Sequence, residues 1–275
     1  FLLKRTKAQI NLQLPTLHSE TKDVEWAGPE EQKLAEDIHS LLQFSCVSHR
    51  LVDQAIAALG NETLPLLIRA RQSCVYPGLM KKHIEKLIKA GLISDTENNG
   101  SLARALDGTS KLDAVCNLIV ERSINDVRLG RRRGKLVFCH YRQEIDEIAK
   151  RLRQHSLYVE TFDGRTSAKD RNRILTEECD VLILQIKTGC EGLNLQQFQE
   201  VYFVSPHWNP AVEDQAVARC HRIGQREEIN VFRFEMVAFD DYDETQTLDC
   251  YSSAVQDVKR GMMTMLDTDI LEKTF

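Results

Sequence analysis

The chain has 275 residues, 42% hydrophobic and 28% charged, with 36 Lys and Arg against 41 Asp and Glu for a net charge of −5. That length suits one large domain or two small ones with a real core, and no apolar run reaches the roughly 18–20 residues of a membrane span, so no membrane partner is expected. The acidic balance alone argues against nucleic acid, but residues 235–258 hold seven acids and no Lys or Arg, which leaves the rest at +2 and the question open. The start, Phe1 to Lys7, has no apolar signal region, and without an initial Met the chain reads as a cut from a longer protein. The eight cysteines are scattered, none within ten residues of another, which predicts reduced thiols inside a cell. Cys46 and His49 read as neighbours on a helix, not as half of a metal site, and no metal ligands are assigned.

In chain order, residues 1–108 read as helical: Pro29 opens a run with Leu34, Ile38, Leu41 and Leu42, and Leu64–Ile68 and Leu79–Leu92 continue the period. A polar loop, Asp95–Ser101, closes this region. From Thr109 to Glu235 the pattern alternates. Helices are predicted at Leu112–Ile124, Arg142–Gln154, Ala168–Thr176 and Ala211–Arg222. Strands are predicted at Lys135–Cys139, Tyr158–Phe162, Val181–Leu184, Val201–Val204 and Ile229–Phe234. Such alternation means an α/β fold with a mostly parallel sheet flanked by helices. An acidic loop and a single helix over about Asp249–Leu266 follow, its apolar positions spaced to pack back as a brace. The expected divisions are therefore 1–108, 109–235 and 236–275.

The densest chemical signal is Asp214 to Gln225, DQAVARCHRIGQ. Gln215, Arg219 and Arg222 stand at i, i+4 and i+7, so a continuous helix would put them on one face. Two guanidiniums on one face could clamp a polyphosphate, although spacing alone favours a solvated basic stripe paired with Glu213 and Asp214. Gly189 and Gly192 follow a predicted strand, where backbone can approach a ligand.

Gln-x-x-x-Arg-x-His-Arg-Ile-Gly-Gln resembles motif VI of the Swi/Snf-type ATPases of helicase superfamily two. Further segments match that family in order. Lys135–Tyr141 resembles motif IV, Asp163-Gly164-Arg165-Thr166 with Arg171 resembles its DG-x-T…R, and Lys187–Leu195 resembles motif V. Trp208-Asn209-Pro210 resembles the WNP of motif Va. Phe1–Lys7, Leu14-Pro15 and Arg71-Gln72-Ser73-Cys74 with Pro77 resemble the linker and helical region before the lobe. The wording around motifs V and VI resembles members from large DNA viruses, and HRIGQ, where DEAD-box RNA helicases read HRIGR, favours the Swi/Snf branch.

The resemblance implies the C-terminal RecA-like lobe of an ATP-dependent double-stranded-DNA translocase, with an N-terminal helical subdomain and a C-terminal brace helix. It implies Arg219 and Arg222 as catalytic arginine fingers, with Gln215, Gly192 and Glu191 placing the nucleotide. It assigns DNA contacts to His140, Tyr141, Arg142, Gly164, Arg165, Thr166, Lys187, Thr188, Trp208 and Asn209. ATP is the implied cofactor, with Mg2+ held mainly by a first RecA-like lobe. The chain contains no Gly-x-x-x-x-Gly-Lys-Ser/Thr and no DEAH-like box, so it is not expected to hydrolyse ATP alone. Implied partners are duplex DNA, that first lobe, and a nucleosome or another DNA-bound protein. The implied location is intracellular: nuclear in a eukaryote, in a viral factory or virion for a viral member. Two alternatives stand beside this reading: a non-catalytic lobe that binds DNA or a partner, and an RNA helicase lobe.

Overall fold

The structure is a computed structural model that describes residues 14–42, 63–91, 100–189, 193–239 and 246–272. Phe1–Lys7, Cys46, His49 and the loop at 95–99 lie outside the described residues. In chain order the elements are β1 (Leu17–Val24), α1 (Pro29–Ser40), α2 (Thr63–Val75), a 3-10 turn at Pro77–Met80, α3 (Lys81–Lys89), α4 (Ser101–Leu106), α5 (Ser110–Arg128) and β2 (Gly134–Cys139). There follow α6 (Arg142–Gln154), β3 (Val159–Phe162), α7 (Ala168–Thr176), β4 (Val181–Gln185), α8 (Ile186–Gly189), β5 (Phe198–Phe203), α9 (Pro210–Cys220), β6 (Ile229–Met236) and α10 (Leu248–Glu272). Among the described residues no helix is long and apolar enough to cross a membrane.

The six strands form one sheet in the order β1-β6-β5-β2-β4-β3. The inner pairings of β5 with β6, β2 with β5, β2 with β4 and β3 with β4 are all parallel. The fold is the α/β class read from the alternation of strands and helices. By contacts the chain forms two compact units. The first is 1–21, 118–203 and 211–233, and the second is 22–117, 204–210 and 234–275.

In the first unit β2 and β4 are buried on both faces, as parallel strands covered by helices must be. Leu136, Phe138, Leu182, Leu184, Val201 and Phe203 build one core with Ala216, Val217 and Cys220 of α9. Phe138 stacks on Phe203 with ring centroids 5.2 Å apart. Ile145, Ile148 and Leu152 of α6 are fully buried at helical spacing. Part of the buried charge here forms a network: Glu200 takes Arg122 Nε at 2.8 Å and the Tyr202 hydroxyl at 2.6 Å, and Lys135 reaches Asp126 at 2.9 Å.

In the second unit Pro29 at the first turn and Glu30 and Glu31 beside it suit a helix N-terminus, where φ is preset and negative charge is favoured. His39 of α1 is fully buried. Its Nδ1 donates to the Ala35 carbonyl at 2.7 Å and its Nε2 accepts the Leu248 N–H at 2.9 Å, so the ring is neutral. Burial lowers its pKa to about 4. Lys111 lies fully buried against Asp249 and also donates to Ser205 at 3.0 Å. The start of α10 is thereby pinned by polar contacts as well as by buried Leu248 and Tyr251.

Four readings change. Residues before 108 are not helical throughout: β1 is an exposed edge strand whose polar sequence, LHSETKDV, carries no periodic signal because its pairing is made by backbone. β5 starts at Phe198, three residues early, because buried Gln199 and Glu200 find partners that a polar pattern cannot announce. α9 stops at Cys220, short of Arg222. On α10 the buried face turns polar after Tyr251, with Ser252 and Gln256 inside while Met262 is 59% exposed.

Candidate functional site

The motif loops lie at the carboxyl ends of adjacent strands. In register, Cys139 of β2 faces Gln185 of β4, and Phe162 of β3 faces Leu184, so the turns after the three strands leave the sheet at one level. Open parallel sheets bind ligands at that edge. After β2 come His140, Tyr141 and Arg142, whose turn is fastened by Glu144: its Oε2 accepts the N–H groups of His140 and Tyr141, each at 2.9 Å. Gln185 Nε2 donates to the His140 carbonyl at 3.1 Å and ties the motif V strand to the motif IV turn.

After β3, the Asp163 N–H donates to Thr166 Oγ1 at 3.0 Å and the Thr166 N–H returns to the Asp163 carbonyl at 3.0 Å, closing a tight turn. At Gly164 an added Cβ would lie 2.9 Å from Arg142 Nη2, the flexible end of an exposed side chain. Arg142 and Gly164 are therefore brought together. Arg165 sits on two carboxylates, donating to Asp146 at 2.8 and 2.9 Å and to Asp163 at 2.7–3.1 Å through its backbone and Nε. The guanidinium holds the Asp163 carboxyl below its usual range, and Asp146 and Asp163 together raise the pKa of Arg165. A phosphate at Arg165 has to compete with both acids. Arg171 donates to the Thr166 carbonyl at 3.1 Å and lies over the Phe162 ring at 5.3 Å.

After β4, Lys187 is exposed on the short helix α8. The side chain of Thr188, and Glu191 and Gly192 entirely, lie outside the described residues. The chain resumes at Leu193, and the Leu195 N–H donates to the carbonyl of Arg219 at 3.2 Å, fastening the motif V tail to the end of α9.

Gln215 is exposed and Arg219 half-buried on α9, whereas exposed Arg222 sits in the turn beyond it, so the three do not share one continuous helical face. The turn is set by Gly224 at φ +102, where a side chain is strained. Buried Gln225 staples it: Nε2 donates to the carbonyls of Gln196 at 3.0 Å and Cys220 at 3.3 Å, and Oε1 accepts the Arg226 and Glu227 N–H groups. Gln196 Nε2 also meets the Ile223 carbonyl. His221 Nε2 contacts the Pro15 carbonyl at 2.8 Å. Buried Glu213 accepts Arg233 at 2.8 Å. Two cations at a helix C-terminus also meet the favourable end of its dipole.

Trp208 and Asn209 belong to the second unit. There the WNP turn is held by α10: Gln256 donates to the His207 carbonyl at 2.5 Å and Lys259 to the Trp208 carbonyl at 3.2 Å. The Trp208 indole is half-buried with its ring 6.0 Å from Tyr251, and Asn209 is exposed. Sequence reasoning missed Glu144, Gln185 and Gln225 as the fasteners of these turns. Only Glu144 had a signal, three residues after a helix N-cap. Among the described residues no three His, Cys, Asp or Glu side chains cluster to hold a metal ion.

This arrangement defines a RecA-like lobe of the helicase C-terminal type, and residues 110–224 match the helicase conserved C-terminal domain. Over 110 residues the chain is 37% identical to the DNA repair protein RAD5 of Kluyveromyces lactis, covering 36% of this chain and 10% of that protein. It is 26% identical to the probable global transactivator of Orgyia pseudotsugata multicapsid polyhedrosis virus, across 94% of this chain and 48% of the viral protein. The C-terminal part of the Fun30 ATPase domain shares the fold with a TM-score of 0.57 at 16% identity, covering 90% of this chain and 97% of that one. Residues 110–224 are thus similar to a helicase C-terminal domain, and the relatives support the resemblance to Swi/Snf-type proteins of helicase superfamily two. The chain spans about a tenth of that RAD5 protein and about half of the viral relative.

Proposed function

We propose that this chain is the second motor lobe of an ATP-dependent double-stranded-DNA translocase that remodels chromatin or other nucleoprotein. The observation that carries the reading is the in-register convergence of the β2, β3 and β4 turns, with the arginine turn fastened to the motif V tail through Leu195 and Arg219. Bound ATP would supply a phosphoanhydride whose cleavage leaves charge to be stabilised on the transferring phosphoryl oxygens and the leaving group. Arg222, exposed on a turn stapled by Gln225, and Arg219 at the helix end are suited to stabilise that charge, an effect of about 10³–10⁵ in rate in related phosphoryl-transfer enzymes. Gln215, Glu191 and Gly192 are proposed to place the nucleotide, and Mg2+ to be held mainly by a first RecA-like lobe. Without that lobe the chain should not turn over ATP.

Arg142, Gly164, Lys187 and Thr188, with His140, Tyr141, Arg165, Thr166, Trp208 and Asn209, are proposed to follow the DNA backbone. Such contacts bind with strong salt dependence and little sequence preference. The site of action follows the DNA: the nucleus for a eukaryotic protein, the viral factory or virion for a viral one. The test is ATP hydrolysis by the full-length protein with duplex DNA or RNA added. Duplex DNA should stimulate turnover and RNA should not; stimulation by RNA alone would make this an RNA helicase lobe.

A further inference from the structure

The strands that carry the motif loops have a second end. There, before β2, β3 and β4 begin, a cleft of about 450 Å3 opens between the last turns of α5 and the residues at 131–135, 155–157 and 180. Its wall is apolar: Val120, Ile124 and Val127 lie at i, i+4 and i+7 on α5, with Ile124 49% and Val127 78% exposed. Its rim is basic. Five cations (Arg128, Arg131, Arg132, Arg133 and Lys135) line it with two carboxylates, Asp126 and Asp180, and just beyond the lining Glu178 accepts Arg132 at 3.0 Å and Glu200 lies 3.7 Å from Lys135.

The two lining acids are already engaged. Asp126 accepts Lys135 and Arg131, each at 2.9 Å, and Asp180 accepts Arg132 at 2.9 Å. Burial works against the charge on Asp126, but Lys135 and Arg131 outweigh it and keep the carboxyl low. Arg128 and Arg133 have no carboxylate partner among the described residues, and Arg133 Nε is buried without any hydrogen-bond acceptor. A buried donor left unmade is costly, so this one is poised for an incoming acceptor.

From this geometry we infer that the cleft is a docking site for an acidic peptide segment of a partner protein, one that seats a bulky apolar side chain against Val120, Ile124 and Val127 while flanking carboxylates reach Arg128 and Arg133. Arg128 and Arg133, the two arginines left without a carboxylate among the described residues, call for an anion and the apolar wall for a hydrophobic anchor. A nucleic-acid backbone uses the first and gains nothing from the second. The strands rise about 3.3 Å per residue, so the cleft lies roughly 20 Å from the motif rim. A partner seated here leaves the DNA and nucleotide surfaces clear.

The test is fluorescence anisotropy with a labelled peptide in which Asp and Glu alternate with Leu and Phe, added to the whole chain. A Glu-only peptide of equal charge and a duplex oligonucleotide are the comparison probes. The mixed peptide should bind saturably and the Glu-only peptide much more weakly. Arg128→Glu and Val127→Asp, both at exposed positions, should each weaken the mixed peptide roughly tenfold and leave duplex affinity and the melting temperature unchanged. Absence of saturable peptide binding, or binding indifferent to both substitutions, overturns the inference. Equal binding of the Glu-only peptide removes the apolar anchor and overturns it too. If the duplex displaces the peptide and both substitutions weaken the duplex, the cleft is a nucleic-acid surface and the inference fails.

Discussion

The motif rim of the first unit and the interior of the second put the same charged residue types to opposite uses. In the unit built on β2 to β5, Arg142, Lys187 and Arg222 stand exposed just beyond the ends of strands or a helix, held by backbone fasteners and not by burial. In the unit built on α1, α2 and α10, Lys111, Asp249 and His39 lie inside, each with its partner. Burying a charge is expensive unless it is paired, so an inward charge belongs to the framework while an outward one on a fixed turn is free to meet a ligand. Exposure, more than residue type, separates the proposed machinery from what supports it.

The largest effect that can break this distinction is at Lys111. Lys111→Ala strands the buried Asp249 carboxylate, which also accepts the Met236 N–H at 3.1 Å, and should cost about 3–5 kcal/mol in a denaturant melt. Arg142→Ala should stay within about 0.5 kcal/mol of the parent while the salt slope of duplex binding falls by about one. If the two substitutions melt alike, the division between framework and rim is wrong.

A next effect is hidden by compensation. His39, at about 4 when folded, takes up a proton only on unfolding, so its contribution is full above about 6.5 and is lost as pH falls toward 4. Glu235, pushed up to about 7 by burial and taking the Ser253 hydroxyl at 2.5 Å, works the other way: its contribution is full below about 4.5 and is lost as pH rises through 7. Between about 4.5 and 6.5 the two slopes oppose, and the parent chain should show little net change. Glu235→Gln should unmask the histidine, with stability falling by on the order of 3 kcal/mol from pH 7 to pH 4. Melts of that variant that are flat with pH would contradict a neutral, buried His39.

Much of the first unit was legible because its strands are apolar runs buried on both faces and its helices keep a helical period. α6 and α7 have the bounds that the pattern assigned, Arg142–Gln154 and Ala168–Thr176. The motif turns were legible for the same reason: each follows a readable strand. What stayed hidden depends on partners far away in sequence. β1 pairs by backbone, Glu200 enters β5 because Arg122 meets it, and Arg222 leaves the helix because Gln225 must reach the carbonyls of Gln196 and Cys220. The arginine cleft carried no motif at all, since its walls come from three separate segments.

The smallest effect sharpens the reading of Arg165. Its pair with Asp146 is exposed, so Asp146→Asn should change stability by less than about 1 kcal/mol. It also releases one competitor for the guanidinium, and duplex affinity at low salt should rise, measurable by anisotropy. A fall in affinity would make Asp146 a needed support of Arg165 instead.

The most direct measurement is DNA-stimulated ATP hydrolysis by the full-length, two-lobed protein carrying Arg222→Ala. The exposed turn position predicts an unchanged melt, retained duplex binding and turnover reduced by about 10³ or more. Turnover near the parent rate, with the protein folded and bound to DNA, would contradict the assignment of this turn to the transferring phosphoryl group.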